Sequence, residues 1–295
     1  MTTKKSGPRR DRIEVVANVA SGSVGPDAPA ELEKIFAEFG LDPHICTPKT
    51  GELGDCLKAS LDSGPDLLVV LAGDGTIRRA AELAGPNGPP IAPLPGGTMN
   101  MLPFAVYGRR PWQEVLRDVL GNGEERDLGG GCIDGHRFLC GAILGSPARL
   151  GAAREAARAG KLVEAAGKAR EALQRAFTGR LRYSLDNGGR EKAEALVLMC
   201  PIASKVMDDE AAAFEAAALN PTGAAEVLRL GVNAIVRDWR VDPAVENRAC
   251  RKASIWSARK IPALLDGESV SLPTHVEVAY DPKVCRVLAT PGDVS

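Results

Sequence analysis

Aromatic residues are scarce in this chain of 295 residues, where phenylalanine, tyrosine and tryptophan together make up 4%. Single-stranded nucleic acids stack their bases on aromatic side chains, so this scarcity, with no recognised binding module, argues against a nucleic-acid partner. The sequence has no Gly-x-x-x-x-Gly-Lys-Ser/Thr motif, which excludes a P-loop kinase. It also has no apolar run of eighteen residues and no signal peptide, so we expect a cytoplasmic protein.

Cysteine and histidine are dispersed along the chain. The seven cysteines include no Cys-x-x-Cys pair, and their odd number predicts reduced thiols rather than disulfides or a zinc site. The three histidines, His44, His136 and His275, lie far apart in sequence, and we interpret each as a structural or surface residue. The remaining composition is that of an ordinary globular protein, and the length is sufficient for two domains.

The motif Gly73-Asp74-Gly75-Thr76 lies between an apolar run and a helical pattern. Residues 66–71 have the length and β-branched content of a buried strand, and residues 76–84 are typical of a helix. Backbone N–H groups at such a turn attract anions, and glycine lets a phosphate approach. A carboxylate fits there if it holds a Mg²⁺ that bridges to phosphates, so we predict Asp74 as a metal ligand. An ordinary Asp-Gly turn is the alternative interpretation.

Two further loops have the same polar, glycine-rich character. Residues 18–23 follow the predicted opening strand, and residues 95–100 follow a predicted strand over 90–94. In open α/β sheets, the loops at the carboxyl ends of the strands line one crevice. We therefore predict a nucleotide site formed by the three loops and the end of the second strand, with these residues: Asn18, Ser21, Gly22, Thr47, Gly73, Asp74, Gly75, Thr76, Gly96, Gly97, Thr98 and Asn100.

Strand and helix patterns alternate over the first 123 residues. Between the opening strand and the strand before Asp74, the patterns predict a helix over 29–39, a strand over 43–47 and a helix over 52–63. This order indicates a doubly wound, mostly parallel sheet.

The pattern changes from residue 124 onward. Segments that end in tight-turn signals such as Asp134-Gly135 and Asp266-Gly267 are typical of antiparallel strands. Two helical patterns, near residues 148–177 and 223–237, interrupt them. The sequence therefore predicts an α/β domain followed by a β-rich domain.

The three loop motifs, in this order and spacing, resemble the diacylglycerol kinase catalytic-domain family, which includes sphingosine and ceramide kinases and is distantly related to NAD kinases. The likeness extends from about residue 12 to residue 291. It includes residues 136–145 and 239–243, and the segment Leu265-Asp266-Gly267-Glu268 is similar to the family's late Asp-Gly-Glu motif. One departure is Ala72, which stands where the family has the first glycine of Gly-Gly-Asp-Gly-Thr.

The resemblance implies a nucleotide domain over residues 1–123, a sandwich-like lipid-substrate domain over 124–282, and a last strand over about 283–295 that returns to the first domain. It places the active site in the cleft between the domains and implies that ATP and Mg²⁺ are required. In this family pattern Asp266 takes the proton from the substrate hydroxyl, a role that suits phosphoryl transfer to an alcohol. Glu268 would orient Asp266 or approach the metal. A plain hairpin turn is the simpler interpretation of Asp266-Gly267.

The implied function is that of a lipid kinase. Its acceptor would be diacylglycerol or a sphingoid lipid such as ceramide or sphingosine, which present similar hydroxyls. A soluble NAD kinase-like enzyme is one alternative, although the Asn-Glu signature that follows Gly-Asp-Gly-Thr in NAD kinases is missing. A catalytically silent, lipid-binding regulatory protein is another, and Ala72 is the feature that favours it.

Basic residues are concentrated between residues 149 and 182, where nine basic residues accompany three acidic ones. Some of them recur at every seventh position, which keeps them on one face of a helix. A solvated helix face explains this pattern. The alternative is contact with an anionic membrane surface, where each basic residue contributes about 1 kcal/mol. We predict peripheral membrane association through Arg154, Lys161, Lys168, Arg175 and Arg182.

Overall fold

The computed structural model describes residues 11–49, 51–148, 181–204, 212–219 and 245–290. The chain divides into two compact units, one formed by residues 1–129 and 282–295 and the other by residues 130–281. The prediction of an α/β domain followed by a separate β-rich domain is confirmed. The boundary between the units falls inside a strand, Glu124–Ile133, rather than before it.

The first unit alternates strands and helices. Its elements are β1 (Ile13–Ala17), α1 (Ala28–Glu38), β2 (His44–Cys46), α2 (Leu53–Asp62), β3 (Leu67–Ala72), α3 (Asp74–Ala84), β4 (Ile91–Pro95), α4 (Met101–Tyr107) and α5 (Trp112–Asn122). The predicted elements are all present, with ends that differ by one or two residues. Helix α5 has no counterpart among the predictions.

The core of the first unit explains why these segments form. All six residues of β3 are buried, as in a parallel strand that is covered on both faces. Helix α1 buries Leu32, Ile35 and Phe36, whose spacing places them on one face. The chain leaves this helix through Gly40, whose φ of +67° favours glycine.

The parallel sheet of this unit has the strand order β2-β1-β3-β4. The register pairs Val15 with Ile45 on one side and with Val69 on the other. The strand order therefore reverses between β1 and β3, and ligands of such sheets bind outside the carboxyl ends of the strands at this point. The C-terminal part of the last strand, β16 (His275–Ala289), pairs parallel with β4 through Val287 and Ile91.

The second unit is built from antiparallel strands. After β5 (Glu124–Ile133), its elements are β6 (His136–Phe138), β7 (Gly141–Gly145), β8 (Leu181–Leu185), β9 (Glu191–Ala193), β10 (Ala195–Met199), β11 (Phe214–Leu219), β12 (Val245–Cys250), β13 (Lys252–Trp256), β14 (Ile261–Leu265), β15 (Glu268–Leu272) and the N-terminal part of β16. Short 3₁₀ helices occupy Ser146–Ala148 and Pro201–Ala203.

Two sheets of this unit pack on a common core. One has the order β12-β11-β10-β7-β14-β15, and the other contains β16, β13, β8 and β9 in that order. Residues of both sheets are buried in one cluster, including Leu198 and Ile255. Phe138 and Phe214 stack in it with ring centroids 5.6 Å apart. The arrangement is a β-sandwich.

The structure corrects the prediction for the cysteines. Cys46 and Cys56 form a disulfide, whereas Cys132, Cys140, Cys200, Cys250 and Cys285 are free. The Cα atoms of the pair lie 6.6 Å apart because the end of β2 meets the first turn of α2. Sequence spacing alone does not reveal this contact, since ten positions separate the two residues.

The structure also corrects the prediction that the regularly spaced basic residues form one helical face. Arg182 lies in strand β8, so it does not continue a helical face. Arg154, Lys161, Lys168 and Arg175 lie outside the described residues, as do the predicted helices near 148–177 and 223–237 and the motif at 239–243. None of the described helices combines the length and the apolar character needed to cross a bilayer.

Candidate functional site

Three loops converge at the carboxyl ends of β1, β3 and β4 in the first unit. The N–H of Asn18 donates to the carbonyl of Leu71 at 3.0 Å, which ties the first loop to β3. The N–H of Ser23 donates to the carbonyl of Gly96 at 3.2 Å, and the N–H of Gly96 donates to the carbonyl of Ala72 at 3.1 Å. The structure thus brings together the three loops that the sequence predicted as one site.

Glycines allow this close approach of backbones. A Cβ on Gly97 would lie 2.8 Å from the Cα of Gly73, and a Cβ on Gly96 would lie 2.8 Å from the nitrogen of Ala72. A Cβ on Gly22 would lie 3.1 Å from the hydroxyl oxygen of Thr98. The three loops therefore pack backbone against backbone, with almost no side-chain volume between them, and glycine is what permits this at these positions. We call residues 18–23, 73–76 and 96–100 the glycine cradle.

Asn100 shapes the cradle from within. Its backbone is left-handed, with a φ of +51°, and the residue is buried. Its side-chain oxygen accepts from the N–H of Gly97 at 2.7 Å, and its side-chain nitrogen donates to the carbonyl of Gly97 at 3.1 Å. The amide predicted to bind a nucleotide thus holds the Gly97 loop. Ser23, which the sequence prediction omitted, also binds this loop through its hydroxyl, which donates to the carbonyl of Gly97 at 3.2 Å.

Asp74 is the carboxylate of the cradle. It is the first residue of α3, follows the N-cap Gly73, and is partly buried. Its Oδ1 accepts from the N–H of Leu102 at 3.4 Å, so it also caps the start of α4. Burial raises the pKa of Asp74 above its usual value, although backbone N–H groups of residues 100–102 oppose this shift. The protein therefore compensates only part of the negative charge of Asp74, and a cation would stabilise the charged form.

The donor set around Asp74 is suited to a metal that also binds phosphate. Within the described residues, no three His, Cys, Asp or Glu side chains converge as a metal cluster. Mg²⁺ is typically held by one or two carboxylates, with substrate phosphates and water completing its shell. A single carboxylate beside glycine loops and a helix N-terminus fits Mg²⁺ bound together with a nucleotide.

The other predicted residues occupy different positions around the cradle. Gly75 and Thr76 lie in the first turn of α3, and Ser21 faces Gly73, whose Cβ would lie 3.4 Å from the Ser21 hydroxyl. Thr47 directly follows β2 and is exposed. Among the described contacts, none joins Thr47 to the three loops, so its predicted role stays a prediction.

Asp266 and Glu268 belong to the second unit. Asp266 and Gly267 form the two-residue turn between β14 and β15, with φ values of +46° and +82° and with Leu265 paired to Glu268. The turn interrupts the strand alternation, so Asp266 and Glu268 do not lie on one face of a regular strand. Glu268 instead shares a face with its cross-strand partner Leu265.

The carboxylate of Asp266 is buried and held by backbone. Its Oδ2 accepts from the N–H of Leu139 at 2.7 Å, and its Oδ1 accepts from the N–H groups of Cys140 at 2.8 Å and Gly141 at 2.9 Å. Three such donors stabilise the charged carboxylate. Burial and the nearby charge of Asp266 raise the pKa of the Cys200 thiol. Asp266 therefore anchors the entry to β7, and its role as a base stays a prediction.

Comparison with known proteins bears on the first unit most directly. Residues 12–129 match the family model described as the diacylglycerol kinase catalytic domain. The predicted resemblance is confirmed. The match spans the whole glycine cradle and ends where the first unit gives way to the second. No curated protein matches the chain significantly.

Solved structures extend the likeness to the whole fold. A candidate diacylglycerol kinase from Bacillus anthracis str. Sterne is 18% identical, with a TM-score of 0.74 over 98% of this chain and 100% of that one. A diacylglycerol kinase from the same organism is 15% identical, with a TM-score of 0.69 over the same shares. At these identities the likeness establishes the fold. Together with the family match, it supports a kinase.

Proposed function

We propose that this protein is an ATP-dependent lipid kinase. It would transfer the γ-phosphate of ATP to the primary hydroxyl of a membrane lipid, either diacylglycerol or a sphingoid lipid such as ceramide. The observation that carries the proposal is the convergence of three glycine loops on Asp74, inside the segment that matches the diacylglycerol kinase catalytic domain. Lipid as the acceptor class follows from the family resemblance.

The cradle supplies what a nucleotide triphosphate needs. Its glycine loops carry few side chains, and one of them leads directly into the N-terminus of α3, where backbone N–H groups favour an anion. Asp74 would hold Mg²⁺, which neutralises phosphate charge when bound. Thr98 and Ser21 contribute hydroxyl groups at the edges of the cradle.

Asp266 is the proposed proton acceptor, with Glu268 as its helper. The three N–H donors engage both carboxylate oxygens of Asp266 and stabilise the charged form that a base requires. A weak base suffices in this reaction, because the loose transition state of phosphoryl transfer depends more on orientation and charge neutralisation than on early proton removal. The proposed site between the two domains stays a prediction.

Ala72 does not favour the alternative of a catalytically silent, lipid-binding protein. Its side chain is fully buried at the end of β3, so its methyl group is not exposed on the surface of the cradle. Its carbonyl accepts the hydrogen bond from Gly96 that joins two of the loops. Alanine at this position is therefore compatible with a working nucleotide loop.

Transfer of labelled phosphate from ATP and Mg²⁺ in mixed micelles tests the proposal. The acceptors would be diacylglycerol, ceramide, sphingosine and monoacylglycerol, with NAD as a soluble acceptor, and Asp74→Asn as the matched variant. Labelling of one lipid that is lost in the variant supports a lipid kinase and identifies its acceptor. Labelling of NAD alone supports the NAD kinase-like alternative. ATP binding without labelling of any acceptor supports the silent binder.

A further inference from the structure

Trp256 lies at the centre of an exposed row of basic residues on the second unit. In the antiparallel register it pairs with Arg182 of β8 on one side and with His275 of β16 on the other. Arg182 pairs in turn with Lys192 of β9. Cross-strand partners project from the same face of a sheet, so these four side chains form one row across four strands.

The indole ring of Trp256 contacts two cationic or ionisable groups. His275 stacks on it with centroids 5.1 Å apart and an interplanar angle of 4°, and the Arg190 guanidinium lies 4.6 Å from the ring centroid. His275 approaches from β16, whereas Arg190 comes from the β8–β9 hairpin on the opposite side of β13. Both contacts restrict the position of the ring.

Positive charge predominates around the ring. Arg182, Arg190 and Lys192 are exposed, as are Arg259 and Lys260 in the turn that follows β13. Within the part of the chain that the structure describes, none of these five side chains forms an ion pair. The acidic neighbour Glu277 binds His275 at 3.0 Å and accepts from the Ser254 hydroxyl at 2.7 Å. We define the tryptophan surface as these residues: Arg182, Arg190, Lys192, Trp256, Arg259, Lys260 and His275.

We propose that the tryptophan surface docks the protein on the anionic head-group layer of a phospholipid bilayer. Unpaired basic side chains are attracted to such a layer, and an indole favours the boundary between head groups and acyl chains. The choice of a bilayer rests on the proposed function, since an enzyme with a lipid acceptor must reach a membrane. The surface differs from the helical series predicted from sequence and shares only Arg182 with it.

Other polyanions fit this surface less well. A single-stranded nucleic acid stacks successive bases on several aromatic side chains, whereas this surface offers one indole ring, on which His275 is already stacked. A specific protein partner would need an apolar centre of several side chains, whereas the tryptophan surface as defined has one large apolar side chain. A diffuse anionic layer requires neither aromatic rings for stacking nor an apolar centre.

Flotation of the full-length protein with phosphatidylcholine vesicles, with and without phosphatidylglycerol, tests the docking without ATP. We expect binding only with phosphatidylglycerol, weakened by salt. Arg182→Gln with Lys192→Gln should weaken binding about thirtyfold. Lys34→Gln with Lys58→Gln, at exposed positions of α1 and α2, removes the same charge and should leave binding unchanged.

A second readout places the contact at Trp256. In a Trp239→Phe background, brominated phosphatidylglycerol should quench tryptophan fluorescence, and the further change Trp256→Phe should abolish most of that quenching, because the remaining Trp112 is buried in the first unit. Equal binding to neutral vesicles, or equal losses in both charge variants, would overturn the proposal. So would preferential binding to an oligonucleotide over vesicles. Vesicle binding by a protein that labels no lipid would reject the proposed function but leave the docking surface standing.

Discussion

Oδ2 of Asp266 accepts a 2.7 Å hydrogen bond from the backbone N–H of Leu139, across a separation of 127 residues. The contact joins the turn after β14 to the entry of β7, and the neighbouring N–H groups of Cys140 and Gly141 reinforce it. The late Asp-Gly-Glu motif is thus part of the framework of the second unit, whatever its part in the reaction.

Replacing Asp266 with alanine should destabilise the second unit. Three buried N–H groups would lose their acceptor, and we expect a loss of about 3 kcal/mol or more in the free energy of unfolding, measured in urea. Asp134→Ala is the matched control, because Asp134 begins the Asp-Gly turn between β5 and β6, has a φ of +48° and is exposed. Equal losses in the two variants would show that the turn conformation, not the anchoring, matters.

Replacing Gly97 with alanine should disrupt the packing of the loops that form the cradle. The new Cβ would lie 2.8 Å from the Cα of Gly73, so one loop must shift, at a cost of about 1–3 kcal/mol in stability. Binding of a fluorescent ATP analogue should weaken at least tenfold. Gly54→Ala is the control, since its Cβ would meet nothing within 4 Å, and this helical position should gain slightly in stability. Unchanged nucleotide affinity in Gly97→Ala would argue against the cradle as the phosphate site.

Asp74 should make the metal-free protein less stable as the pH rises. Because burial raises its pKa in the folded state, the folded protein binds the proton more tightly than the unfolded chain does. The contribution of Asp74 to the free energy of unfolding should therefore fall as the pH rises from 3.8 through the raised pKa. Urea titrations in EDTA should show it as a wild-type stability that declines relative to that of Asp74→Asn, because the variant keeps every other titrating group. The variant should also be more stable than the wild type at neutral pH, and a lower stability would contradict this account.

Tyr107 should stabilise the first unit through a single hydrogen bond. Its buried hydroxyl donates to the carbonyl of Leu288 at 2.6 Å, which ties α4 to the end of β16, and burial raises its pKa. Tyr107→Phe should cost about 1–3 kcal/mol in the free energy of unfolding, because the carbonyl loses a buried partner. Tyr183→Phe should cost less, since its acceptor Glu191 keeps an exposed ion pair with Arg248. A larger loss in Tyr183→Phe would contradict this ranking.

Local signals made the first unit predictable. The apolar run of β3, the spacing of apolar residues in α1 and the glycines that end the helices each depend on neighbours within a few residues. The turn at Asp266-Gly267 was also predictable, because it requires two positive φ values that this pair tolerates. The convergence of the three loops followed from their order along the chain, since parallel strands place such loops at one edge.

The roles of individual residues were less accessible. Asn100 has the amide expected of a nucleotide ligand, yet both ends of that amide bind Gly97. The motif suggests that the Asp266 carboxylate is free to act as a general base. Both of its oxygen atoms nevertheless accept hydrogen bonds from residues more than a hundred positions away. The local sequence does not indicate which distant segments will supply hydrogen-bond partners.

The sequence by itself determined the succession of strands and helices, the glycine loops and the resemblance to the diacylglycerol kinase catalytic domain, because these depend on short-range backbone preferences and on motif order. Only the tertiary structure decided which loops touch, that Cys46 meets Cys56, and that Arg182 lies in a strand beside Trp256. Those outcomes depend on how close distant segments come. Packing of the whole chain sets that distance, and local conformational preference does not.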